Sequence, residues 1–429
     1  MTSTLLLIFG VFLVTLLLNI PIAMGLGIAG LAVVLVEGSV PLSFFIQTTF
    51  ASTDSFPLLA IPFFILAGEI MSTGGIARRL IDFVQNIVGS ITGSLGLITI
   101  IASLIFAAIS GSGAATVASI GAITIPYMLK NGYSKPYAAS IAASAGTLGP
   151  IIPPSITFIL YGVMASVSIG DMFIAGLIPG LLLALSLVII NYIISKKEGF
   201  GGVKEVGEKV SFWKSLNEAK WALIAPIIIL GGIYGGIVTP TEAAVIAVVY
   251  SLVVSVFIYR EFNTKQLIDV FLRATTVSGS IMVFVGMASF FGKVLALKQI
   301  PQYIASVIAD FTTNPVIILL LINVFLLIVG AFMETVAAIL LFVPLLLPIV
   351  IPLGVDPIHF GIIVCLNLAL GLITPPLGLN IFIASNIARI RFEQSLKYFL
   401  PIFITLVVVL LIITFVPQLS LFLPNLLAN

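Results

Sequence analysis

Charged side chains are scarce in this sequence of 429 residues. Lys, Arg, Asp and Glu together make up 8% of the chain, whereas apolar residues make up 60%. Soluble domains carry about 25% charged residues, so this composition excludes an ordinary soluble protein. The net charge is only +2, which gives no indication of a nucleic-acid or polyanion partner.

Cysteine and histidine occur once each, as Cys365 and His359. One cysteine cannot form an intrachain disulfide, and in an apolar run it is expected to serve packing. His359 has no second His or Cys to complete a metal site, and we expect it at the membrane interface. A Ser112/His359 dyad is not expected, because the residue two positions before Ser112 is Ser110 and not the glycine of a nucleophile motif, and because His359 lies in the other half. We therefore predict that the chain is not an enzyme.

Basic residues are absent before Arg78, which argues against a cleavable signal peptide. What the chain has in abundance is long apolar runs, such as 221–236 and 401–416. Membrane β-barrels instead show segments of alternating polarity. The sequence therefore predicts an all-α polytopic membrane protein.

The second half of the chain repeats features of the first. Gly-Thr-Leu-Gly-Pro-Ile-Ile-Pro-Pro-Ser (146–155) is echoed by Gly-Leu-Ile-Thr-Pro-Pro-Leu-Gly-Leu-Asn (371–380). Other residues recur at offsets of 218 to 222: Pro21 and Pro240, Gly68 and Gly286, Pro126 and Pro344, Pro153 and Pro375. Two copies of a membrane unit with interrupted helices are typical of secondary transporters, whose binding site lies between the repeats.

The few charges predict the topology. Lys residues are densest in the segment 196–220, which we interpret as a cytoplasmic linker by the positive-inside rule. The first repeat, 1–195, has scaffold helices in 4–73, a re-entrant hairpin at 92–129 and a discontinuous helix at 136–168. The second repeat, 221–429, has the corresponding parts at 221–292, 315–355 and 358–388. Each repeat has about five crossings and one hairpin, and the odd number inverts the second copy. Lys293 and Lys298 fit this scheme worst.

Four helix breaks carry the predicted chemistry: 110–114, 146–155, 330–335 and 371–380. In lipid, broken helices are tolerated only where protein or a cavity satisfies the backbone. Gly allows backbone segments to approach closely, and Pro leaves a backbone carbonyl without its helical partner. Carbonyls and hydroxyls at these breaks can therefore surround a hard monovalent cation. Helix N-termini at the breaks favour a carboxylate. The alternative is that these residues only assist helix packing. The candidate cation ligands are Ser110, Gly111, Gly113, Thr116, Thr147, Gly330, Thr335, Gly371, Thr374 and Pro375.

Glu334 is the acidic residue most clearly placed in an apolar stretch, which makes it a functional candidate. It could bind a cation, hold substrate through hydroxyls, or cap a half-helix. Glu69 is nearer a membrane boundary, where we interpret it as an interface residue. Thr239-Pro240-Thr241-Glu242 (239–242) has the pattern of a capping box that begins a helix.

Four motifs resemble one known family. They are Ser-Gly-Ser-Gly-Ala-Ala-Thr-Val-Ala (110–118), Gly-Pro-Ile-Ile-Pro-Pro-Ser (149–155), Ile-Val-Thr-Pro-Thr-Glu-Ala-Ala (237–244) and Gly-Leu-Ile-Thr-Pro-Pro-Leu-Gly (371–378). Their order along the whole chain is similar to that of the large membrane subunit of tripartite ATP-independent periplasmic (TRAP) transporters.

The resemblance implies an elevator-type transporter in the bacterial inner membrane, driven by sodium. It implies a periplasmic binding protein that delivers an organic acid, of the sialic acid or C4-dicarboxylate type, and a separate small four-helix membrane subunit. It places sodium at the breaks and substrate between the hairpin tips, at Ser112, Ser155, Glu334 and Asn380. One sodium ion leaves little free energy for accumulating an anion, so we expect at least two per substrate. The alternative is a stand-alone sodium–carboxylate or anion transporter with no binding protein.

Overall fold

The computed structural model of the chain describes residues 2–38, 40–201 and 212–427. Part of the predicted linker, including Lys204 and Lys209, lies outside these residues. At its two ends the linker is shorter than predicted, because one helix continues to Glu198 and the next begins at Phe212. Basic side chains at the end of the first helix, Lys196 and Lys197, favour this extension because they face the negative end of the helix dipole.

Every regular element in the described part of the chain is helical, which confirms the all-α prediction. The first half contains α1 (Thr2–Leu17), α2 (Ile22–Glu37), α3 (Ser43–Thr53), α4 (Ala60–Thr73), α5 (Ile76–Val88), α6 (Ser94–Ser110), α7 (Gly113–Thr116), α8 (Ala122–Lys130), α9 (Lys135–Ala145), α10 (Ile156–Ala165) and α11 (Ile169–Glu198). The second half contains α12 (Phe212–Tyr234), α13 (Pro240–Leu252), α14 (Thr264–Leu297), α15 (Ile300–Phe311), α16 (Pro315–Phe332), α17 (Thr335–Val350), α18 (Pro357–Gly371), α19 (Leu379–Ala388), α20 (Leu396–Phe415) and α21 (Gln418–Leu427). A π-helical turn at Val117–Gly121 joins α7 to α8.

Eight helical segments among the described residues are long and apolar enough to cross a membrane. Many large apolar side chains on their surfaces are exposed, for example Leu181 on α11, Ile227 on α12 and Ile404 on α20. Such extensive exposed apolar surface is expected where lipid, not water, surrounds the protein.

The helices pack into two groups. The scaffold group consists of α1–α4 and α12–α14, in which α4 packs against α13 and α14. The core group consists of α6–α11 and α16–α21, in which α9 packs against α19 and α10 against α17. Helix α18 in the core group is buried on all sides from His359 to Gly371, as expected for a helix that is apolar around its whole circumference.

Two amphipathic helices, α5 and α15, were not anticipated from the apolar runs. Helix α5 buries Ile76, Leu80 and Val84 on one face and packs against α12 and α6. Helix α15 packs against α17 and α14. Their apolar residues recur at helical spacing and do not form a continuous run, so a search for long hydrophobic segments misses them.

Two local predictions are confirmed. Thr239 and Glu242 form the capping box of α13, in which the Thr239 amide donates to the Glu242 carboxylate at 2.7 Å and the Glu242 amide donates to the Thr239 hydroxyl at 3.3 Å. Cys365 is a buried free cysteine. Lys298, one of the two basic residues that fit the predicted topology worst, forms an ion pair with Glu37 on α2, so its charge is neutralised by a neighbour.

The expected interface position of His359 is wrong. Its side chain is only 2% exposed, and it lies between α18, α20 and α21. The two ring nitrogens are 3.2 Å from the Ser420 hydroxyl and 3.2 Å from the Thr414 carbonyl. A ring nitrogen with a polar partner on each side can be buried at little cost, which is why this residue lies in the interior.

Candidate functional site

The first hairpin turns at Gly111. This glycine ends α6 in the left-handed conformation, with φ of 58°, and Ser112 then adopts an extended conformation as the N-cap of the helix that begins at Gly113. The Ser112 hydroxyl accepts a hydrogen bond from the Ala115 amide at 3.4 Å. A Cβ atom at position 111 would lie 2.8 Å from the Pro154 carbonyl oxygen, so this tight turn against the first break requires glycine.

The second hairpin turns at Met333 and Glu334. Both residues are extended, and Glu334 is the N-cap residue of α17. Its carboxylate faces the Val336 and Ala337 backbone amides in the first turn of α17, and its side chain is exposed although the surrounding sequence is apolar. The Thr335 hydroxyl is buried and has no hydrogen-bond partner in the described ranges. The Glu334 carboxylate therefore lies where the capping interpretation expects it, in front of the first turn of α17.

Both discontinuous helices break at a proline pair. In the first, α9 ends at Ala145, and the turn from Gly146 leads through the cis Pro153–Pro154 peptide to α10. In the second, α18 ends at Gly371, and the chain passes the cis Pro375–Pro376 peptide before α19. The Ser155 hydroxyl donates to the Pro150 carbonyl at 2.6 Å and accepts from the Phe158 amide at 3.4 Å, so it is occupied within its own turn.

Each hairpin tip packs closely against the break of its own half. A Cβ atom on Gly113 would lie 3.0 Å from the Gly146 carbonyl oxygen, and one on Gly330 would lie 2.9 Å from the Cα atom of Gly371. Asn380 on α19 reaches into the first half, where its amide donates to the Ala143 carbonyl at 3.3 Å. The two halves therefore meet at the breaks, which brings together residues more than two hundred positions apart.

A cavity of about 420 Å³ lies where these parts meet. The first turns of four helices line it, through Ala114 and Ala115 after the first tip, Thr157 on α10, Val336 on α17 and Leu379 on α19. Helix N-termini carry partial positive charge and unsatisfied N–H groups, so they favour an anion. Their convergence on one cavity gives that cavity an anion-binding character.

The remaining wall of the cavity comes from the scaffold group. Helix α4 contributes Ile65, Gly68 and Glu69, and α14 contributes Val277 and Ile281. The cavity therefore lies between the core group and the scaffold group. Glu69 was interpreted as an interface residue, but the structure places it on the cavity wall.

The predicted site residues fall into two layers. The first layer lines the cavity and comprises Ser110, Gly111, Ser112, Gly113, Glu334 and Thr335. The second layer does not line the cavity but lies in the breaks, the hairpins and the packing beside them, and comprises Thr116, Thr147, Ser155, Gly330, Gly371, Thr374, Pro375 and Asn380. Their roles as ligands stay predictions.

The second-layer hydroxyls make local hydrogen bonds. Thr147 donates to the Ser144 carbonyl at 2.7 Å, Thr374 to the Leu370 carbonyl at 2.8 Å, and Thr116 to the Ser112 carbonyl at 2.8 Å. A hydroxyl that donates in this way keeps its oxygen lone pairs available for a cation.

Two buried oxygens near the first break were not singled out from sequence as cation ligands. The Ser144 hydroxyl and the side-chain amide oxygen Oδ1 of Asn380 have no hydrogen-bond partner within the part of the chain that the structure describes. Buried polar atoms normally have a partner, so these two are additional candidates for holding a cation. Ser144 lies just before the first break and outside the motif 146–155, whereas Asn380 ends the motif 371–380 and was expected near substrate. Only the contact between the halves brings the Asn380 side chain close to α9.

The sequence matches the family described as "Tripartite ATP-independent periplasmic transporter, DctM component" over residues 9–419. The chain belongs to this family. It is therefore a multi-pass membrane protein with a role in TRAP transport, and a transport protein rather than an enzyme.

Several relatives support this assignment. The chain is 47% identical to the isethionate TRAP transporter permease protein DctMQ of Oleidesulfovibrio alaskensis, over 97% of this chain but only 65% of that longer protein. It is 43% identical to the C4-dicarboxylate TRAP transporter large permease protein DctM of Pseudomonas aeruginosa, over 88% of both chains. It is 37% identical to the sialic acid TRAP transporter large permease protein SiaM of Vibrio cholerae, over 95% of both.

A solved structure supports the fold alone. The YdaH transporter of Alcanivorax borkumensis, described as having an unusual topology, superimposes with a TM-score of 0.61 at 14% identity. The alignment covers 90% of this chain and 89% of that one.

Proposed function

We propose that this large TRAP subunit carries an organic acid into the cell, driven by sodium and by an elevator movement of the core group against the scaffold group. The observation that carries the proposal is the cavity between the two groups, on which four helix N-termini converge. An organic acid is the substrate class that such a cavity favours, because its carboxylate or sulfonate accepts hydrogen bonds from free N–H groups.

Sodium is supported by the oxygens around the breaks. Near the first tip these are the buried oxygens of Ser144 and Asn380, and near the second tip the buried hydroxyl of Thr335. Sodium is a hard cation that prefers uncharged and carboxylate oxygens, as these positions offer. The presence of such oxygens at both repeat-related tips favours at least two ions per substrate.

The elevator movement is supported by the boundary between the groups. Helix α4 approaches the first hairpin tip at Gly68, where an added Cβ atom would lie 3.3 Å from the Cα atom of Ser110. Apart from Glu69, the residues of α4 and α14 that line the cavity are small or apolar, so this surface has few directional contacts to break. We propose that the two hairpins and the two discontinuous helices move as one body along this surface.

The family membership also supports the partners. We propose a periplasmic binding protein that delivers the acid and a separate small four-helix membrane subunit, with the complex in the bacterial inner membrane and the segment 196–220 in the cytoplasm. This proposal competes with a stand-alone transporter, and the family match favours the tripartite system.

The test is uptake into vesicles that contain this chain together with its small membrane subunit. Isethionate, a C4-dicarboxylate and sialic acid are offered in turn, each with its binding protein and with or without an inward sodium gradient. The proposal expects uptake of one of these acids only when both the binding protein and the sodium gradient are present. Equal uptake without the binding protein would favour the stand-alone transporter, and equal uptake without sodium would contradict sodium coupling.

A further inference from the structure

An ion pair joins the two scaffold helices that face the cavity. The Arg273 guanidinium on α14 donates through Nε to the Glu69 carboxylate on α4 at 3.1 Å, and through Nη2 to the Thr73 hydroxyl at 3.4 Å. Glu69 lines the cavity, and so do Val277 and Ile281, one and two turns after Arg273 on α14. The pair therefore lies on the side of the scaffold that the cavity touches.

The charges around the cavity make this pair significant. Its lining, taken over the described residues, contains the two carboxylates Glu69 and Glu334 and no Lys, Arg or His. An organic acid entering the cavity would be repelled by ionised carboxylates in its wall, because like charges a few ångströms apart repel each other. Arg273 cancels one of these charges.

The position of the pair also places it close to the first hairpin tip. Glu69 follows Gly68, the residue at which α4 approaches the Ser110 backbone. A bound anion at the tips would therefore lie beside the carboxylate of Glu69 and within the field of Arg273. Both side chains are partly exposed, Arg273 by 53% and Glu69 by 31%, and ion pairs at this exposure contribute little to stability. Holding the fold together is thus a weak explanation for the pair.

We propose that Glu69 and Arg273 form a charge-balanced wall that sets the affinity of the transporter for its acid. The inference rests on the proposed function, since it takes the cavity as the acid's site. Arg273 alone would hold the anion tightly and delay its release, and Glu69 alone would repel it. Paired, they let the acid bind through the helix N-termini and leave again, which serves turnover better than tight binding does.

Four variants test the proposal in vesicles: Arg273→Gln, Arg273→Lys, Glu69→Gln and the double variant Glu69→Gln/Arg273→Gln. Arg273→Gln leaves an unpaired carboxylate and is expected to raise KM for the acid at least about tenfold. The double variant removes both charges and is expected to return KM to within about threefold of wild type. Its thermal stability is expected to fall as little as that of Arg273→Gln. Arg273→Lys keeps the charge and is expected to behave like wild type.

Glu69→Gln is expected to change KM for the acid in the opposite direction, since it leaves the arginine unpaired. We expect a lower KM together with a lower maximal rate, because the anion leaves more slowly. A purely structural pair predicts a different pattern, in which all the glutamine variants lose thermal stability in detergent and the double variant is no better than Arg273→Gln. That pattern would overturn the inference.

The outcomes also separate this inference from the proposed function. If wild type takes up none of the three acids with its binding protein and sodium, the proposed function fails, and the inference fails with it. If wild type transports an acid but Arg273→Gln and the double variant have the same KM, the function stands and the charge-balanced wall is wrong.

Discussion

Ser112 and Glu334 occupy the same position in the two hairpins. Each is the N-cap residue of the helix that follows the tip, each has an extended backbone, and both line the same cavity. They differ in chemistry, because the Ser112 hydroxyl accepts from the Ala115 amide whereas the Glu334 carboxylate faces the Val336 and Ala337 amides. The second tip therefore presents an acid to the cavity where the first presents a hydroxyl.

Replacing Glu334 should impair transport without unfolding the protein. We expect Glu334→Gln to lower sodium-driven uptake at least about tenfold, because a carboxylate oxygen at this tip is a candidate ligand for the coupled sodium ion. Thermal unfolding in detergent should shift little, since glutamine keeps the size of the side chain and an oxygen that can accept from the Val336 and Ala337 amides. The control is Glu393→Gln, an exposed residue that does not line the cavity and should leave uptake unchanged. Wild-type uptake by the Glu334 variant would remove this residue from the functional site.

One hydroxyl at the first tip and one in the second break should matter for the sodium dependence of uptake. We expect Thr374→Val and Ser110→Ala each to raise the sodium concentration needed for half-maximal uptake at least about fivefold, because each would remove one of the proposed oxygen ligands of the cation. Alanine is the better choice at position 110, since Ser110 packs directly against Gly68. The measurement is initial uptake rate against sodium concentration.

A matched control for Thr374 exists on α20. Thr405 donates to the Pro401 carbonyl at 2.9 Å, the same type of local bond that Thr374 makes to Leu370, and both residues are half-buried, but Thr405 lies within α20 and not in a break. Thr405→Val should leave the sodium dependence as in wild type. If both tip variants also keep wild-type sodium dependence, the cation assignment at 110–114 and 371–376 is wrong.

The close approach of Gly330 and Gly371 should limit stability. A Cβ atom on Gly330 would lie 2.9 Å from the Gly371 backbone, so Gly330→Ala forces the hairpin away from the break and should cost about 1–3 kcal/mol. Gly279 on α14 has no described atom within 4 Å of an added Cβ, so Gly279→Ala should be neutral or slightly stabilising. The measurement is the midpoint of thermal unfolding in detergent for each of the two variants. Equal midpoints would contradict the packing argument.

The sequence predicted the features that local chemistry determines. Pro153 and Pro375 mark the breaks because proline removes a backbone donor wherever it stands, and Gly111 marks a tip because the left-handed turn suits glycine. The capping box at Thr239 and Glu242 is equally local. For these residues the physical cause lies within a few positions along the chain, so the pattern alone was sufficient.

Features that depend on distant contacts were missed. The pair of Glu69 and Arg273 joins two helices 204 residues apart in sequence, and no pattern near either residue indicates the other. His359 is buried because Ser420 and Thr414 supply its partners, which only the packing of three helices creates. Amphipathic helices such as α5 were missed for another reason, since spans were sought as continuous apolar runs.

The energetics of coupling lead to a prediction of stoichiometry. At about −100 mV, one inward positive charge releases about 2.3 kcal/mol, and a tenfold sodium gradient adds about 1.4 kcal/mol. Carrying a monoanion inward costs about 2.3 kcal/mol, so one sodium ion leaves about 1.4 kcal/mol, enough for about tenfold accumulation. Two sodium ions leave about 5.1 kcal/mol, which supports accumulation of several thousand-fold.

We therefore expect at least two sodium ions per acid and a net inward movement of positive charge. Vesicles with an imposed inside-negative potential should take up a monoanionic acid faster and to a higher final level than vesicles at zero potential, because the potential acts on the surplus charge. The Hill coefficient for sodium should exceed one. A potassium–valinomycin clamp at zero potential is the control. Uptake that does not respond to the potential, together with a Hill coefficient near one, would indicate electroneutral symport of one sodium ion with one monoanion. That result would contradict this stoichiometry.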